Sequence, residues 1–200
     1  MTKNIIYNSN CLDGLKLIPN NSIDCCVTSP PYFGLRDYGN ENQIGLEETP
    51  QDYVDKIIQV FEEVKRVLKK DGTLWLNIGD SYADSGKGWA VNCKTMNKDY
   101  QTIHKKSKPF KSKKIKPKDL IGIPWMIAFA LRDKGWYLRQ DIIWSKPNPM
   151  PESVKDRCTK SHEYIFILSK SKKYFYDYQE IKTEVKDATI RRIIQDIESK

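Results

Sequence analysis

Long apolar runs, a secretory leader and a regular cysteine framework are all missing from the sequence. No apolar stretch is long enough to span a bilayer, and the first four residues, Met-Thr-Lys-Asn, are unlike a secretory signal. The 5 cysteines are odd in number and form no C-x-x-C pair, which argues against a disulfide framework and a zinc site. These absences exclude a membrane protein and a disulfide-stapled secreted domain. They predict a reduced, cytoplasmic protein with no bound metal.

Positive charge is concentrated in one stretch of a chain whose formal net charge is +8. The cationic segment, from Asp84 to Lys118, carries 11 lysines and 2 acidic residues, whereas the rest of the chain is close to neutral. Such a segment is too polar to pack in a core, so we expect it to be mobile when free and to bind a polyanion. A solvated loop without a partner is the alternative. Its cluster Gly86-Lys87-Gly88 matches neither a P-loop nor a dinucleotide fingerprint.

The apolar pattern predicts one domain over residues 1–200, built from alternating strands and helices. One helix is expected to begin at Thr49 and Pro50, which fit the N-cap and first turn, and to stop at Gly72. Strands are expected at residues 23–27, 73–78, 137–144 and 163–169, the last turning into a hairpin with residues 174–177. Further helices are expected at residues 11–17, 124–134 and 187–199, and a short strand or extended entry at 4–7. The predicted class is α/β, with a mostly parallel sheet and an antiparallel hairpin.

The stretch Thr28-Ser29-Pro30-Pro31-Tyr32 follows the first apolar strand directly. In open α/β sheets, ligands bind at the carboxyl ends of strands. Because Pro31 fixes its own φ and restricts Pro30, the Pro30 carbonyl should be rigid and lack a local donor. With the Ser29 hydroxyl it offers two fixed acceptors beside the flat ring of Tyr32. This arrangement suits a planar heterocycle with an exocyclic NH2 group, whose nitrogen would become nucleophilic if both hydrogens were held by acceptors.

The sequence from Asp24 to Gly39 resembles the catalytic motif of the DNA methyltransferases that modify exocyclic amines. Residues 77–82, 144–148 and 161–163 resemble further segments of that family, so the resemblance covers residues 4–178. It implies a Rossmann-like fold and transfer of a methyl group from S-adenosylmethionine to N4 of cytosine or N6 of adenine in double-stranded DNA, as in restriction-modification systems. Ser at position 29 favours cytosine in this family, although members with Ser also act on adenine.

The resemblance also assigns roles to single residues. Ser29 and Pro30 would orient the amine, Pro31 would stiffen the turn, and Tyr32 would stack on a flipped base. Asn10, Cys11 and Thr28 fall at cofactor-binding positions, but Asn10 replaces the family's usual acid, and a helix N-cap role for it is equally favoured. The resemblance also implies substrate contacts for Asp80, Lys146 and Asn148. Independently of the resemblance, we expect DNA contacts from Arg36, on a loop beside the site, and from the lysines of the cationic segment, Lys105, Lys106, Lys108, Lys111, Lys113 and Lys114. An Arg36–Asp37 surface pair and turn capping by Asp80 are the alternatives.

One part of the family pattern has no match in the sequence, namely the C-terminal block with a glycine-rich loop that binds most of S-adenosylmethionine. In that fold the same block supplies the strands that pair beside the reactive strand. We therefore expect an incomplete sheet with an exposed apolar edge at residues 23–27, and weak or no cofactor binding by the chain alone. A second polypeptide, a second copy or a non-catalytic DNA-binding remnant would each account for this.

Overall fold

The structure is a computed structural model that describes residues 4–40, 42–83 and 115–185, together with residues 189, 191 and 194. Its elements are α1 (Cys11–Lys16), β1 (Ile23–Thr28), α2 (Pro50–Val67), β2 (Leu68–Ile78), α3 (Ile123–Asp133), β3 (Tyr137–Ser145) and β4 (His162–Ser169). Most of the cationic segment and most of the expected helix at 187–199 lie outside the described residues.

The four described strands form one sheet in the order β1-β2-β4-β3. β1 and β2 are parallel, whereas β4 is antiparallel to both of its neighbours. Three strands therefore run in one direction, and β4 is inserted between two of them in the opposite direction. The expected α/β class with an antiparallel hairpin is confirmed, but the hairpin joins β3 to β4. The expected partner at residues 174–177 is not a strand, and Phe175 instead donates a backbone hydrogen bond to Asp71.

Helix α2 begins as its sequence predicts. The Thr49 side chain accepts a hydrogen bond from the Asp52 amide at 3.1 Å and donates one to the Asp52 carboxylate at 2.6 Å, and Pro50 occupies the first turn. Its apolar stripe packs with α3 on one face of the sheet. The core consists mainly of Val54, Ile57, Phe61, Leu74, Leu76, Ile78, Ile127, Leu131, Phe166 and Leu168.

The expected helix stop at Gly72 is wrong. Helix α2 ends at Val67 and β2 begins at the next residue, so Gly72 lies inside a strand. The β1–β2 register passes from Ile23↔Leu68 to Cys25↔Thr73, which places residues 69–72 in a bulge. A Cβ at Gly72 would lie 3.1 Å from two backbone carbonyl oxygens, those of Asp24 and Lys69. Glycine is therefore favoured here by close backbone approach, and it does not terminate the helix.

β1 pairs only with β2 in the described sheet, so its other side is an edge. Val27 on this strand is 78% exposed, which agrees with the exposed apolar edge expected from the sequence. Residues 4–7 are exposed and form no strand in the structure. The sheet face opposite the helices carries Val27, Trp75 and Ile165, and no described helix covers it. Among the described residues, no helix is both long and apolar enough to cross a membrane.

Candidate active site

The strand directions bring four chain segments to one edge of the sheet. Thr28 ends β1, Ile78 ends β2, Ser145 ends β3, and His162 starts the reversed strand β4. The register pairs Thr28 with Leu76, Ile78 with Tyr164, and Ser145 with His162. The residues that follow or precede these ends, including the diproline segment at 29–32, therefore meet at a common rim.

The diproline segment is anchored from below by Tyr53 of α2. The Tyr53 hydroxyl donates a 2.8 Å hydrogen bond to the Pro31 carbonyl. This ring is fully buried, and burial raises the pKa of its hydroxyl, so Tyr53 remains a neutral donor at any ordinary pH. Within the described part of the chain, no donor reaches the Pro30 carbonyl. The Pro30 carbonyl thus has no partner among the described residues, and its role as an acceptor for an amine stays a prediction.

Tyr32 is fixed at both its ring and its hydroxyl. The ring lies against Gly79, where a Cβ would lie 2.5 Å from Cε2 of Tyr32. The hydroxyl lies 2.8 Å from Asn77 Oδ1 and 2.9 Å from Glu163 Oε2. Burial, together with the nearby charge of Glu163, raises the pKa of Tyr32 to about 12. The hydroxyl is therefore protonated at neutral pH and can donate to one of these two acceptors.

Ser29 and Lys146 complete the cluster from opposite sides. Ser29 Oγ lies 3.2 Å from Asn77 Oδ1 and 3.3 Å from the Tyr32 hydroxyl. The Lys146 ammonium forms an ion pair with Glu163. Burial alone would raise the pKa of Glu163, but hydrogen bonds from Lys146 and Tyr32 hold it below its ordinary value. Glu163 is thus ionised at neutral pH, and the cluster joins β1, β2, β4 and the loop after β3.

Two concave surfaces open on either side of this cluster. A broad cleft of about 1390 Å³ is lined by Tyr32, Gly79, Asp80, Lys146 and Glu163, among others. A smaller groove of about 310 Å³ is lined by Val27, Thr28, Ser29, Trp75, Asn77, Trp144 and Ile165. The cleft is polar on the Glu163 side, whereas the groove is mostly apolar and reaches the free edge of β1. A ligand in either surface would contact one side of the Ser29–Tyr32 turn.

The other predicted site residues divide into those near the cluster and those away from it. The Asp80 carboxylate accepts hydrogen bonds from the amides of Gly122 and Ile123, so it caps α3 while also lining the cleft. The Asn10 side chain accepts from the Leu12 amide at 3.0 Å, which is the N-cap alternative.

Four positions lie apart from both concave surfaces: Asn10, Cys11, Arg36 and Asn148 are exposed and line neither the cleft nor the groove. No ion pair joins Arg36 to Asp37 in the described chain, and Asp37 instead accepts from the Gly39 amide. Lys105, Lys106, Lys108, Lys111, Lys113 and Lys114 lie outside the described residues.

Sequence reasoning did not assign the partners that hold the turn in place. Glu163 lies 131 positions from Tyr32, and Asn77 lies 48 positions from Ser29. Tyr53 fits the helical apolar stripe and was indistinguishable from a core residue. Gly79 follows a strand, where glycine also serves in ordinary turns. The only signal was positional, because Asn77 and Glu163 both lie within a few residues of the strand ends that form the rim.

The arrangement can bind an amine through acceptors but supplies no strong base. Ser29, the Pro30 carbonyl and Asn77 are neutral, and the lowered pKa of Glu163 makes it a weak proton acceptor. Four cysteines in the described chain are free, and burial raises the pKa of Cys26 to about 11, so this thiol is not an activated nucleophile. The chemistry that fits is orientation of a substrate nitrogen, without covalent catalysis by the protein.

Comparison with known sequences agrees with this chemistry. The model of the N6/N4 DNA methylase family matches residues 23–197. The type II methyltransferase M.SmaI of Serratia marcescens is 56% identical over 164 residues, which cover 82% of this chain and 55% of that protein. M.Cfr9I of Citrobacter freundii is 49% identical over 179 residues, covering 90% of this chain and 58% of that protein. The chain thus spans a little over half the length of these relatives.

Two solved structures share the fold. The PvuII DNA methyltransferase, described as cytosine-N4-specific, has a TM-score of 0.59 at 19% identity. The superposition covers 88% of this chain and 52% of the PvuII chain. A Thermus thermophilus protein, described as a putative DNA modification methylase complexed with S-adenosyl-L-methionine, has a TM-score of 0.52 at 23% identity. This superposition covers 91% of our chain and 62% of the Thermus thermophilus chain. These likenesses confirm the predicted methyltransferase fold.

Proposed function

Because the chain belongs to the N6/N4 DNA methylase family, we propose that it carries the amine-orienting part of a type II, site-specific DNA methyltransferase. The supporting observation is the Ser29–Tyr32 turn, which is held by Tyr53, Asn77 and Glu163 beside an open cleft. Its reaction would place a methyl group on the exocyclic amine of a base in double-stranded DNA. The family model covers residues 23–197, and we propose that residues 1–200 together form a single catalytic domain.

The turn would act on a base flipped out of the duplex. Ser29 Oγ and the Pro30 carbonyl would each accept one hydrogen of the exocyclic amine, which favours a pyramidal nitrogen with its lone pair pointing away from the turn. Pro31 keeps these acceptors rigid. Gly79 supports one side of the Tyr32 ring, and the ring's other side would stack on the base. Since the acceptors are fixed before substrate arrives, little reorganisation is needed during reaction.

S-adenosylmethionine is the methyl donor we assign, and the groove beside Ser29 fits part of it. When bound, it supplies an electrophilic methyl carbon on a sulfonium sulfur. The groove is largely apolar and borders Thr28 and Ser29, so Thr28 would contact the donor there. The Asn10 oxygen caps α1, and Asn10 and Cys11 lie outside the groove, so they would contact only a part of the donor that extends beyond it. The groove is small for a whole ligand of this size, so these residues would hold only one side of it.

Cytosine N4 is the favoured target and adenine N6 the alternative. Ser29 is neutral, and its hydroxyl is already held by Asn77 at 3.2 Å. In the resembling family, Ser at this position is more typical of cytosine-N4 enzymes. Nucleoside analysis of methylated DNA decides between the two bases.

DNA would be held mainly by charge. Lysines of the cationic segment would contact phosphates and give salt-dependent affinity without sequence information. Lys146 lines the cleft and would contact the flipped nucleotide, and Asp80 would shape the cleft wall. Arg36 and Asn148 are exposed outside both concave surfaces, so they would contact the neighbouring DNA. A bacterial modification enzyme meets its substrate in the cytoplasm, and we place the chain there.

A second polypeptide, or a second copy, would complete the sheet. The edge of β1 and the adjoining face expose Val27 and Trp144, with the half-buried Trp75 beside them in the groove. Such an apolar edge is an aggregation hazard unless it is covered. A strand added beside β1 would border the groove and could supply the rest of the donor site. The competing function is a non-catalytic DNA-binding half. If the chain retains DNA but does not retain labelled S-adenosylmethionine even when a completing polypeptide is present, the non-catalytic function is favoured.

The decisive experiment is mass spectrometry of nucleosides from DNA of cells that express the chain, alone and together with the remaining part of a relative such as M.SmaI. N4-methylcytosine or N6-methyladenine should accumulate with the wild type and disappear with Ser29→Ala. Ser22→Ala is the matched control, because that hydroxyl only donates to the Pro19 carbonyl away from the rim. Equal methylation by Ser29→Ala would contradict the assigned role, and no methylated base in either co-expression would favour the non-catalytic half.

A further inference from the structure

The side chains of Ser29, Tyr32, Asn77 and Glu163 form one hydrogen-bonded network. Each hydroxyl proton in it has more than one possible acceptor. We propose that Glu163 is a positioning residue: by accepting the hydrogen bond of the Tyr32 hydroxyl it leaves Asn77 to accept that of Ser29, so that Ser29 presents its lone pairs to the substrate amine. This inference rests on the proposed function, since it concerns the group that orients the amine.

The orientation of Asn77 is fixed by its other end. Its Nδ2 donates to the Tyr164 carbonyl at 3.2 Å, which turns Oδ1 toward Ser29 and Tyr32. Oδ1 then lies 2.8 Å from the Tyr32 hydroxyl and 3.2 Å from Ser29 Oγ. Two hydroxyl protons therefore approach one amide oxygen. If both were donated there, the longer contact, that of Ser29, would be the weaker one.

Glu163 relieves this competition. Its Oε2 lies 2.9 Å from the Tyr32 hydroxyl, slightly farther than Asn77 Oδ1, but a carboxylate is a stronger acceptor than an amide. The carboxylate is kept ionised by Lys146, which forms an ion pair with its other oxygen. Lys160 also faces this carboxylate from the loop before β4 and adds positive charge on the same side. The Tyr32 proton is thereby drawn away from Asn77.

The consequence falls on Ser29. Its proton points inward to Asn77, while the hydroxyl itself is exposed and lines the groove. Its lone pairs are then directed toward solvent or substrate, as an acceptor of an amine hydrogen requires. Without a charged Glu163, Tyr32 would donate to Asn77, and the Ser29 proton would keep only the 3.3 Å contact to the Tyr32 hydroxyl oxygen as its inward acceptor. The Ser29 proton would then be held less firmly and could turn toward the substrate.

The direction of the Tyr32 proton can be measured without any enzymatic activity. The pKa of Glu163 is followed by carbon-13 NMR of its side-chain carboxyl, with Glu163→Gln used to assign the signal. If Tyr32 donates to Glu163, Tyr32→Phe raises this pKa, because a hydrogen bond to the charged form is lost. Tyr38→Phe, in an exposed loop, is the control and should leave it unchanged. An unmoved Glu163 pKa in Tyr32→Phe overturns the proposal.

Kinetics give a second, independent test in the preparation in which the wild type methylates DNA. Glu163→Gln should lower kcat about tenfold, less than loss of a group that touches the reacting atoms, while KM for DNA stays within about threefold. Adding Tyr32→Phe removes the competing donor, so the double variant should be no slower than Tyr32→Phe alone. Glu152→Gln, in the same cleft but paired with Arg157, is the matched control.

The two tests separate this inference from the proposed function. A raised Glu163 pKa in Tyr32→Phe supports the proton direction even if the chain transfers no methyl group. Additive losses from Glu163→Gln and Tyr32→Phe would overturn the positioning role while leaving methyl transfer itself established.

Discussion

Substitution of Gly79 by alanine should displace Tyr32, because no space exists for a methyl group between them. A Cβ at Gly79 would lie 2.5 Å from Cε2 and 2.8 Å from Cδ2 of Tyr32. Non-bonded carbons pack at about 3.5–4.0 Å, so the ring must move by about 1 Å. The ring cannot swing freely, since its hydroxyl is held by Asn77 and Glu163. Gly79 has no positive φ, so the backbone itself would accept alanine and the collision is the main penalty.

Overpacking of this kind typically costs about 1–3 kcal/mol of unfolding free energy. A double-mutant cycle in urea isolates the collision. Gly79→Ala should destabilise the wild type by an amount in that range, yet should be close to neutral in a Tyr32→Ala background, where the ring is gone. The expected coupling free energy between the two sites is therefore at least about 1 kcal/mol. A coupling below about 0.5 kcal/mol, within the ordinary error of additivity, would refute the contact.

The same substitution should impair methyl transfer. A shift of about 1 Å at a group that positions substrate can reduce the rate about 100-fold. Gly14→Ala is the matched control, because its Cβ would meet only the side-chain oxygen of Ser9, an exposed residue that can move. Full activity of Gly79→Ala, with Gly14→Ala also active, would show that the Tyr32 ring position is unimportant.

Four further outcomes follow from individual contacts. Tyr53→Phe removes the hydroxyl that donates to the Pro31 carbonyl and should cost about 1–3 kcal/mol in urea unfolding, since it leaves a part-buried acceptor unpaired; an unchanged midpoint would contradict this. Thr49→Ala removes the N-cap of α2 and should cost about 1 kcal/mol, unlike the exposed control Thr183→Ala. The folded-state pKa of Glu163 lies below its ordinary 4.5, so its stabilisation is present above that pH and is lost as the pH falls through the folded value. Glu163→Gln should accordingly flatten the acid limb of unfolding free energy against pH, and an unaltered limb would rule this out. Val27→Lys, at an exposed edge position, should leave unfolding within about 0.5 kcal/mol but weaken self-association or partner binding in sedimentation; equal association by both proteins would mean that the edge is not used.

Local signals predicted most of the secondary structure, and the failures were non-local. Thr49 and Pro50 mark the start of α2 because capping depends on a few adjacent residues. Gly72 was misassigned because glycine serves both as a helix stop and at a bulge, and only the pairing of β1 with β2 distinguishes them. The hairpin partner of β4 was likewise misassigned, since a short turn at 170–173 is locally plausible while the observed partner, β3, lies across a longer loop.

The candidate site divides in the same way. Ser29 to Tyr32 could be proposed from the sequence because the four residues are consecutive and follow a strand directly. Their partners could not, because Tyr32 meets Glu163 only when β4 is inserted in reverse beside β2. The sequence allowed two roles for Asp80, a substrate contact and a capping residue. In the structure Asp80 caps α3 and also lines the cleft.

The amine-orienting cluster is complete within the described sheet. Ser29 follows the end of β1, Asn77 comes from β2 and Glu163 from β4, and each has an oxygen within 3.3 Å of the Tyr32 hydroxyl. None of these contacts needs the free edge of β1, where any further strand would add. In the proposed reaction these residues would position the nucleophile, and the donor would bind at the apolar groove beside Thr28 and Ser29. A strand added beside β1 would border that groove, so it would bring further donor contacts close to the amine.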